Sequence, residues 1–288
     1  MNSKVYIILV NYNGYKVTKE CIESLMEVNY KNFKIILVDN CSSDDSYVRL
    51  SDLYNLNDKI IVIKTPANNG FAGGNNFGLQ YAIKLGGEIF LLLNNDTEVE
   101  PDFLDQLLDG YDSKKIHTPK INYYFDKDKS WYAAGKIDFR RCVVANGKPD
   151  VEKKVSFASG CCMLFSKEVI EKIGFLDETY FMYYEDVAYS LEAELANVNI
   201  IYKPKAIVYH KVGITSGGEE SKLSIYYNNR NRLYIMKKYN FGVGCYIYTY
   251  LSRIIRVLKG YIANDNNRTI IEAYKDYRHG ITGKKIFK

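Results

Sequence analysis

The chain has 288 residues, 47% of them apolar, and a formal charge of +5. With 27 tyrosines, that composition excludes a disordered or purely solvating protein. Six cysteines without a C-x-x-C pair argue against a disulfide scaffold or a zinc site and for reduced thiols.

Residues 5–10 read as a first strand, since the apolar run is too short for a signal peptide and lacks a cleavage site. Strand-length runs rich in Ile, Val or Leu recur at residues 34–38, 59–63 and 88–93. Between them apolar residues fall at helical spacing: Val17, Ile22, Leu25 and Met26, then Val48, Leu53 and Tyr54, then Leu79, Ala82 and Ile83. This βαβαβαβ alternation predicts an α/β fold with a mostly parallel central sheet flanked by helices, whose ligands bind outside the carboxyl ends of the strands. Pro101 and Gly110 bracket a short helix, and no order is readable from there to about Lys154. A strand at 155–165, a helix at 167–173 stopped by Gly174, a helix near 185–197 and a strand at 198–202 complete a first domain, expected at 1–218. Residues 219–288 are expected to form a helical, basic C-terminal extension.

Within that extension Ile247, Tyr250, Leu251, Ile254, Ile255, Leu258 and Ile262 form an apolar stripe, with Arg253, Arg256 and Lys259 off it. Residues 237–288 hold eleven Lys/Arg against three Asp/Glu, so the basic charge is local. Such a helix either docks on the first domain or lies on an anionic membrane, and the stripe gives no cause to expect nucleic acid as the partner. No apolar run approaches the ~20 residues that span a bilayer, so no transmembrane helix is expected.

Three polar clusters follow strands and so share one sheet edge: Asn11-Tyr12-Asn13-Gly14, the stretch from Asp39 to Asp45, and Asn94-Asn95-Asp96. Asp39 offers a carboxylate to base or ribose hydrogen bonds, with helix capping left to Ser43, Asp44 and Asp45. Asp96 is placed to share a divalent ion with substrate phosphates, although an Asn/Asp turn is the simpler alternative. The glycine-rich stretch from Gly70 to Gly78 fits neither G-x-x-x-x-G-K-[ST] nor G-x-G-x-x-G. It serves either as a tight strand-to-helix turn or as a backbone approach to an anion. Glu185 and Asp186, adjacent at a helix entrance, point in different directions; one can cap or orient, the other can take a proton from a hydroxyl. His210 suits a metal, a phosphate or a structural contact, and Arg230 suits a diphosphate or a solvated helix face.

In this order Val10-Asn11-Tyr12-Asn13-Gly14, Val38-Asp39-Asn40, the run from Asn69 to Asn75, Leu93-Asn94-Asn95-Asp96, Gly160, Phe175-Leu176-Asp177-Glu178 and Tyr184-Glu185-Asp186 resemble glycosyltransferase family 2. The likeness spans about residues 4–235 and is strongest to the branch with bacterial rhamnosyltransferases of surface-polysaccharide assembly. It implies a GT-A nucleotide-diphospho-sugar transferase fold and an inverting transfer, with rhamnose from dTDP-L-rhamnose the favoured donor. It places Asp39 and the loop of Asn11, Tyr12 and Asn13 at the nucleoside. Asn69, Gly70, Gly74, Asn75, Asn95 and Arg230 are the further donor-contact candidates. Asp96 becomes the metal carboxylate for Mg²⁺ or Mn²⁺, His210 lies near metal or diphosphate, and Asp186 is the catalytic base with Glu185 beside it. A glycan or lipid-linked acceptor follows, as does a cytoplasmic location with peripheral contact at the membrane's cytoplasmic face through the C-terminal helices. The branch continues E-D-x-D/E-L-x-x-R, whereas this chain has Ala188 and Glu192 in place of the second acid and the arginine. Alternatives are a UDP- or GDP-hexose donor, or a sugar-nucleotide-binding protein without turnover. A nucleotidyltransferase lacks the basic phosphate loop it would need after the first strand.

Overall fold

The computed structural model describes residues 3–148, 150–213, 221–256 and 265–287. The chain begins β1 (Val5–Asn11), α1 (Tyr15–Met26), β2 (Phe33–Asp39), α2 (Ser46–Tyr54), β3 (Ile60–Lys64), α3 (Gly70–Lys84) and β4 (Ile89–Asn94). These four strands pair in parallel in the spatial order β4-β1-β2-β3. Their continuous Ile/Leu/Val runs are what a sheet covered on both faces requires, and Val5, Ile7, Ile8, Leu9, Ile35, Ile36 and Leu37 expose nothing. Each such side chain contributes roughly 1.5–3 kcal/mol on burial. The chain reverses its direction of travel between β1 and β4, the kind of switch point at whose carboxyl edge open α/β sheets carry their ligand crevice.

Gly74 and Gly78 let α3 lie close against this edge: a Cβ at Gly74 would stand 2.8 Å from Val10, and one at Gly78 would stand 2.5 Å from Ile8. The glycine-rich stretch is thus explained by helix-on-strand packing.

β5 (Thr97–Val99), α4 (Phe103–Leu108), β6 (Lys115–Tyr123), β7 (Ser130–Tyr132), the small hairpin of β8 (Lys136–Asp138) and β9 (Val143–Ala145), β10 (Lys153–Val155), β11 (Cys162–Ser166), α5 (Lys167–Ile173), α6 (Glu185–Leu195) and β12 (Asn199–His210) complete the sheet and its cover. The order is β10-β12-β6-β11-β4-β1-β2-β3, and parallel ladders carry most of the pairing. β11 runs antiparallel between β4 and β6. Its amino end, with Gly160 and Cys161, therefore reaches the carboxyl edge of β4, where Asn94 N–H donates to Cys161 O at 2.8 Å.

Two expected strands differ. The run 155–165 is two strands, because Ser159 turns the chain by accepting from the Cys161 and Cys162 amides. The strand expected to end at Tyr202 continues to His210, and a register shift between Lys203 and Ile207 accommodates Pro204, which has no N–H to donate.

α7 (Lys222–Lys238), α8 (Val243–Arg256) and α9 (Asp265–Arg278) follow. α7 adds Leu233, Ile235 and Met236 to the buried cluster that contains the sheet. On α8 the face turned inward carries Cys245 and Thr249, while Val243, Ile247, Leu251, Ile254 and Ile255 are exposed. Gly218, Leu258, Lys259 and Ile262 lie outside the described residues. Among the described residues no helix is long and apolar enough to cross a membrane.

Candidate active site

The ends of β1 and β2 are joined by a buried polar network. Asp39 has no exposed surface; its carboxylate accepts from Asn11 Nδ2 at 2.9 Å, Ser42 Oγ at 2.6 Å and Ser42 N at 2.9 Å. Asn11 Oδ1 in turn accepts from Thr18 Oγ1 and the Gly14 amide, and Asn95 Nδ2 donates to Thr18 Oγ1 at 2.7 Å. Asn13 sits at φ 53° and is latched to Ser42 and Ser43. Tyr12, 43% exposed, is left presenting its ring to solvent. Ser42 and Thr18 tie the three strand ends together; Ser42 lies in the polar cluster after β2, whereas Thr18, inside α1, carries no local sign of this role.

The candidates on α3 divide. Asn69 is an exposed N-cap whose side chain makes no capping bond. Gly70 holds φ 72°, and its added Cβ would meet the Phe181 carbonyl oxygen at 2.1 Å. Asn75 is buried and donates to Phe71 O in its own helix. Gly70, Gly74 and Asn75 thus pack against protein, and Asn69 is the exposed member of the group.

A second group meets across β4, β5 and β12. The β5–β12 ladder pairs His210 with Thr97, which sets the imidazole beside Asp96. His210 Nε2 lies 3.2 Å from Asp96 Oδ1, both residues are buried, and Trp131 packs edge-on to the imidazole. Burial opposes charging His210, but Cys161 and Asp96 outweigh it and raise its pKa to about 10. A divalent ion taking Asp96 Oδ1 and His210 Nε2 would displace the imidazole proton and draw its remaining ligands from phosphates and water. Among the described residues no group of three His, Cys, Asp or Glu side chains is arranged to hold a metal alone. Next to this pair Lys211 is buried between Glu20 at 2.5 Å and Glu98 at 2.7 Å.

The third group opens α6. Asp186, half-buried, accepts from Gly160 N at 3.0 Å and Val187 N at 2.8 Å. Gly160 is therefore the partner that fixes the carboxylate. Burial raises the Asp186 pKa against the pull of those amides. Glu185 is buried, its Oε2 has no hydrogen-bond partner, and burial together with the charge of Asp186 raises its pKa well above the usual carboxylate range. Asp186 is placed to accept a proton, whereas burial and the neighbouring charge drive Glu185 toward its neutral form.

Arg230 does not reach this crevice. It is fully buried, and its donors go to Asn231 Oδ1, Gly283 O and Tyr180 O. A diphosphate role is not assigned to it.

The sequence profile described as Glycosyl transferase family 2 matches residues 6–174. The chain belongs to glycosyltransferase family 2. Among curated relatives, the low-salt glycan biosynthesis hexosyltransferase Agl10 of Haloferax volcanii is 30% identical over 234 residues, 78% of this chain and 73% of that protein. The dTDP-rhamnosyl transferase RfbF of Shigella flexneri is 26% identical over 252 residues, 83% of this chain and 81% of the relative. GalNAc-T7, solved with UDP, GalNAc and Mn²⁺, superimposes with a TM-score of 0.67 at 17% identity, over 79% of this chain and 47% of its own. The Pyrobaculum calidifontis mannosyltransferase PcManGT, solved with GDP-Man and Mn²⁺, gives 0.60 at 13% identity over 94% and 73%. The family 2 chain described here accordingly has the GT-A fold.

Proposed function

We propose that this family 2 chain is an inverting glycosyltransferase that moves a sugar from a nucleotide-diphospho-sugar to an acceptor hydroxyl in polysaccharide or glycolipid assembly. The observation that carries this reading is the pair of chemically distinct stations on one sheet edge: Asp96 with His210, and Asp186 held by the Gly160 and Val187 amides. The nucleoside lies over residues 11–13, ordered from beneath by Asp39, with the Tyr12 ring and the Asn69 side chain as exposed contacts. Asp186 takes the proton of the acceptor hydroxyl as that oxygen attacks the anomeric carbon from the face opposite the nucleoside diphosphate. Configuration inverts in one displacement. A divalent ion held by Asp96 and His210 would offset the charge developing on the departing diphosphate.

The likeness to RfbF favours dTDP-L-rhamnose as donor, and the likeness to Agl10 makes another hexose the competing choice. Release of nucleoside diphosphate from dTDP-, UDP- and GDP-sugars, with and without Mn²⁺ and candidate glycan acceptors, decides between them. Release confined to one donor and lost in Asp96→Ala and Asp186→Asn supports the transferase. Donor binding by calorimetry without turnover overturns it in favour of a sugar-nucleotide-binding protein.

The outward face of α8 supports a lipid-linked acceptor and peripheral contact with the cytoplasmic face of a membrane. Ile247, Leu251 and Ile254 stand exposed in a basic segment, and the β8–β9 hairpin adds exposed Phe139, Arg140 and Arg141, with Arg141 over the Tyr248 ring. Flotation with anionic vesicles but not neutral ones, lost in Ile247→Asp/Leu251→Asp, is the expected result. Equal recovery of the variant would remove the membrane from the proposal.

A further inference from the structure

The four residues ahead of Glu185 form an unusual backbone. Phe181, Tyr183 and Tyr184 have φ of 65°, 63° and 72°, in the left-handed region that non-glycine side chains rarely occupy unless their surroundings hold them there. Tyr184 is also the N-cap of α6 and contributes no side-chain cap. The start of α6, and hence the aim of Asp186, depends on whatever secures this loop.

One side chain gathers three carbonyls of this segment. Asn231 of α7 has no exposed surface, and its Nδ2 donates to Tyr180 O at 2.9 Å, Met182 O at 2.9 Å and Tyr183 O at 2.8 Å. An amide nitrogen carries two hydrogens, so three carbonyls share its full donor capacity. Its Oδ1 accepts from Arg230 Nε at 3.0 Å, and Arg230 Nη2 adds a contact to Tyr180 O at 3.3 Å. From the other side the Phe71 amide donates to Phe181 O at 2.7 Å. These carbonyls converge on the amide because the left-handed turns point them there.

We propose that Asn231 is a positioning residue for Asp186: it fixes the left-handed loop that sets where α6 starts and which way the carboxylate faces. Asn231 touches no reacting group, and the proposal rests on Asp186 being the base. Loss of the amide lets the loop relax toward ordinary φ values, and a displacement near 1 Å at a reacting group costs about 10²-fold in rate.

The test uses the full chain with the dTDP-, UDP- and GDP-sugar panel, and compares wild type, Asn231→Ala, Asn231→Ser, Tyr183→Gly, Asn231→Ala/Tyr183→Gly and Asp186→Asn. Asn231→Ala is expected to lower kcat by about 10²-fold with donor KM within about threefold, and Asn231→Ser, which keeps one donor, by about tenfold. Relative to Tyr183→Gly alone, the Asn231→Ala loss should shrink at least several-fold, because glycine adopts the left-handed conformation without strain. A role confined to core packing would give no such rescue and would lower the unfolding midpoint and kcat together, which overturns the proposal. Should Asn231→Ala not fold, the serine variant and the glycine double variant are read in its place, and unchanged kcat in Asn231→Ser with no rescue in the double variant is equally decisive against it. Full activity in Asp186→Asn removes the base and the proposal with it; an inactive Asp186→Asn beside a fully active Asn231→Ala removes only the proposal.

Discussion

Gly70→Ala separates two roles for the glycine-rich stretch. The added Cβ would stand 2.1 Å from the Phe181 carbonyl oxygen and 2.7 Å from its carbon, where ordinary contact begins at 3.4 Å. Both are backbone atoms, so no rotamer change relieves the overlap, and Phe181 must retreat by about 1 Å, the scale of misplacement that costs about 10²-fold in rate. The Phe71 N–H bond to Phe181 O is then broken, at about 1 kcal/mol, and an alanine at φ 72° adds roughly 1–2 kcal/mol of backbone strain. Together these predict a loss of about 2–3 kcal/mol in unfolding free energy by urea titration. Because the displaced loop leads into Glu185 and Asp186, kcat should fall about 10²-fold while donor KM holds. A variant with raised donor KM and unchanged kcat would refute this reasoning and return Gly70 to the donor site.

Asp186→Asn should lower kcat by about 10²–10⁴-fold, or roughly 3–5 kcal/mol of barrier; initial rates with saturating donor measure it, and full activity would sink the base assignment. Since burial raises the Asp186 pKa and the base works deprotonated, wild-type kcat should fall on the acid side at a pH above the usual aspartate range, and the residual rate of Asp186→Asn should lack that limb. Glu185→Gln should stabilise the fold at neutral pH. A carboxyl whose folded pKa is raised favours the fold fully only below its unfolded value of about 4.3, and that contribution is lost as pH rises through the folded value. Urea midpoints at pH 4.5 and 7.5 should therefore differ more for wild type than for Glu185→Gln; parallel pH dependence would show that Glu185 is not held protonated.

What the sequence revealed was whatever is local to a strand end. Asp39, Asp96 and Asp186 were recognisable because an apolar run or a helix start precedes each, and the direction of a parallel strand then decides the edge on which each lies. Pairings made by topology were hidden. The family resemblance put His210 and Asp96 at one metal, but the pairing that joins them has no local signal: β12 continues past Pro204 and its end pairs with β5, next to Asp96. The α3 glycines looked like anion contacts or a tight turn; their use depends on Val10, Ile8 and Phe181, which no spacing rule connects to them. Arg230 was singled out for its charge, while the neighbouring neutral Asn231, with no charge to draw notice, carries the three loop carbonyls. The stripe on α8 was legible, but whether it faced the core or solvent depended on the burial of Cys245 and Thr249.

The departures from the family pattern on α6 bear on whether the site turns over. Ala188 is buried, and its carbonyl accepts from Tyr239 Oη at 3.3 Å. Glu192 stands where the branch has arginine, and it meets Tyr239 Oη at 2.8 Å and Lys238 Nζ at 3.1 Å. Lys238 also pairs with Asp177 at 3.0 Å. Lys238 of α7 thus supplies a cation to Glu192 of α6 and to Asp177 at once. Neither change touches the Gly160 and Val187 amides that hold Asp186. Both departures are therefore accommodated by contacts with α7 and leave the two amide bonds to Asp186 in place.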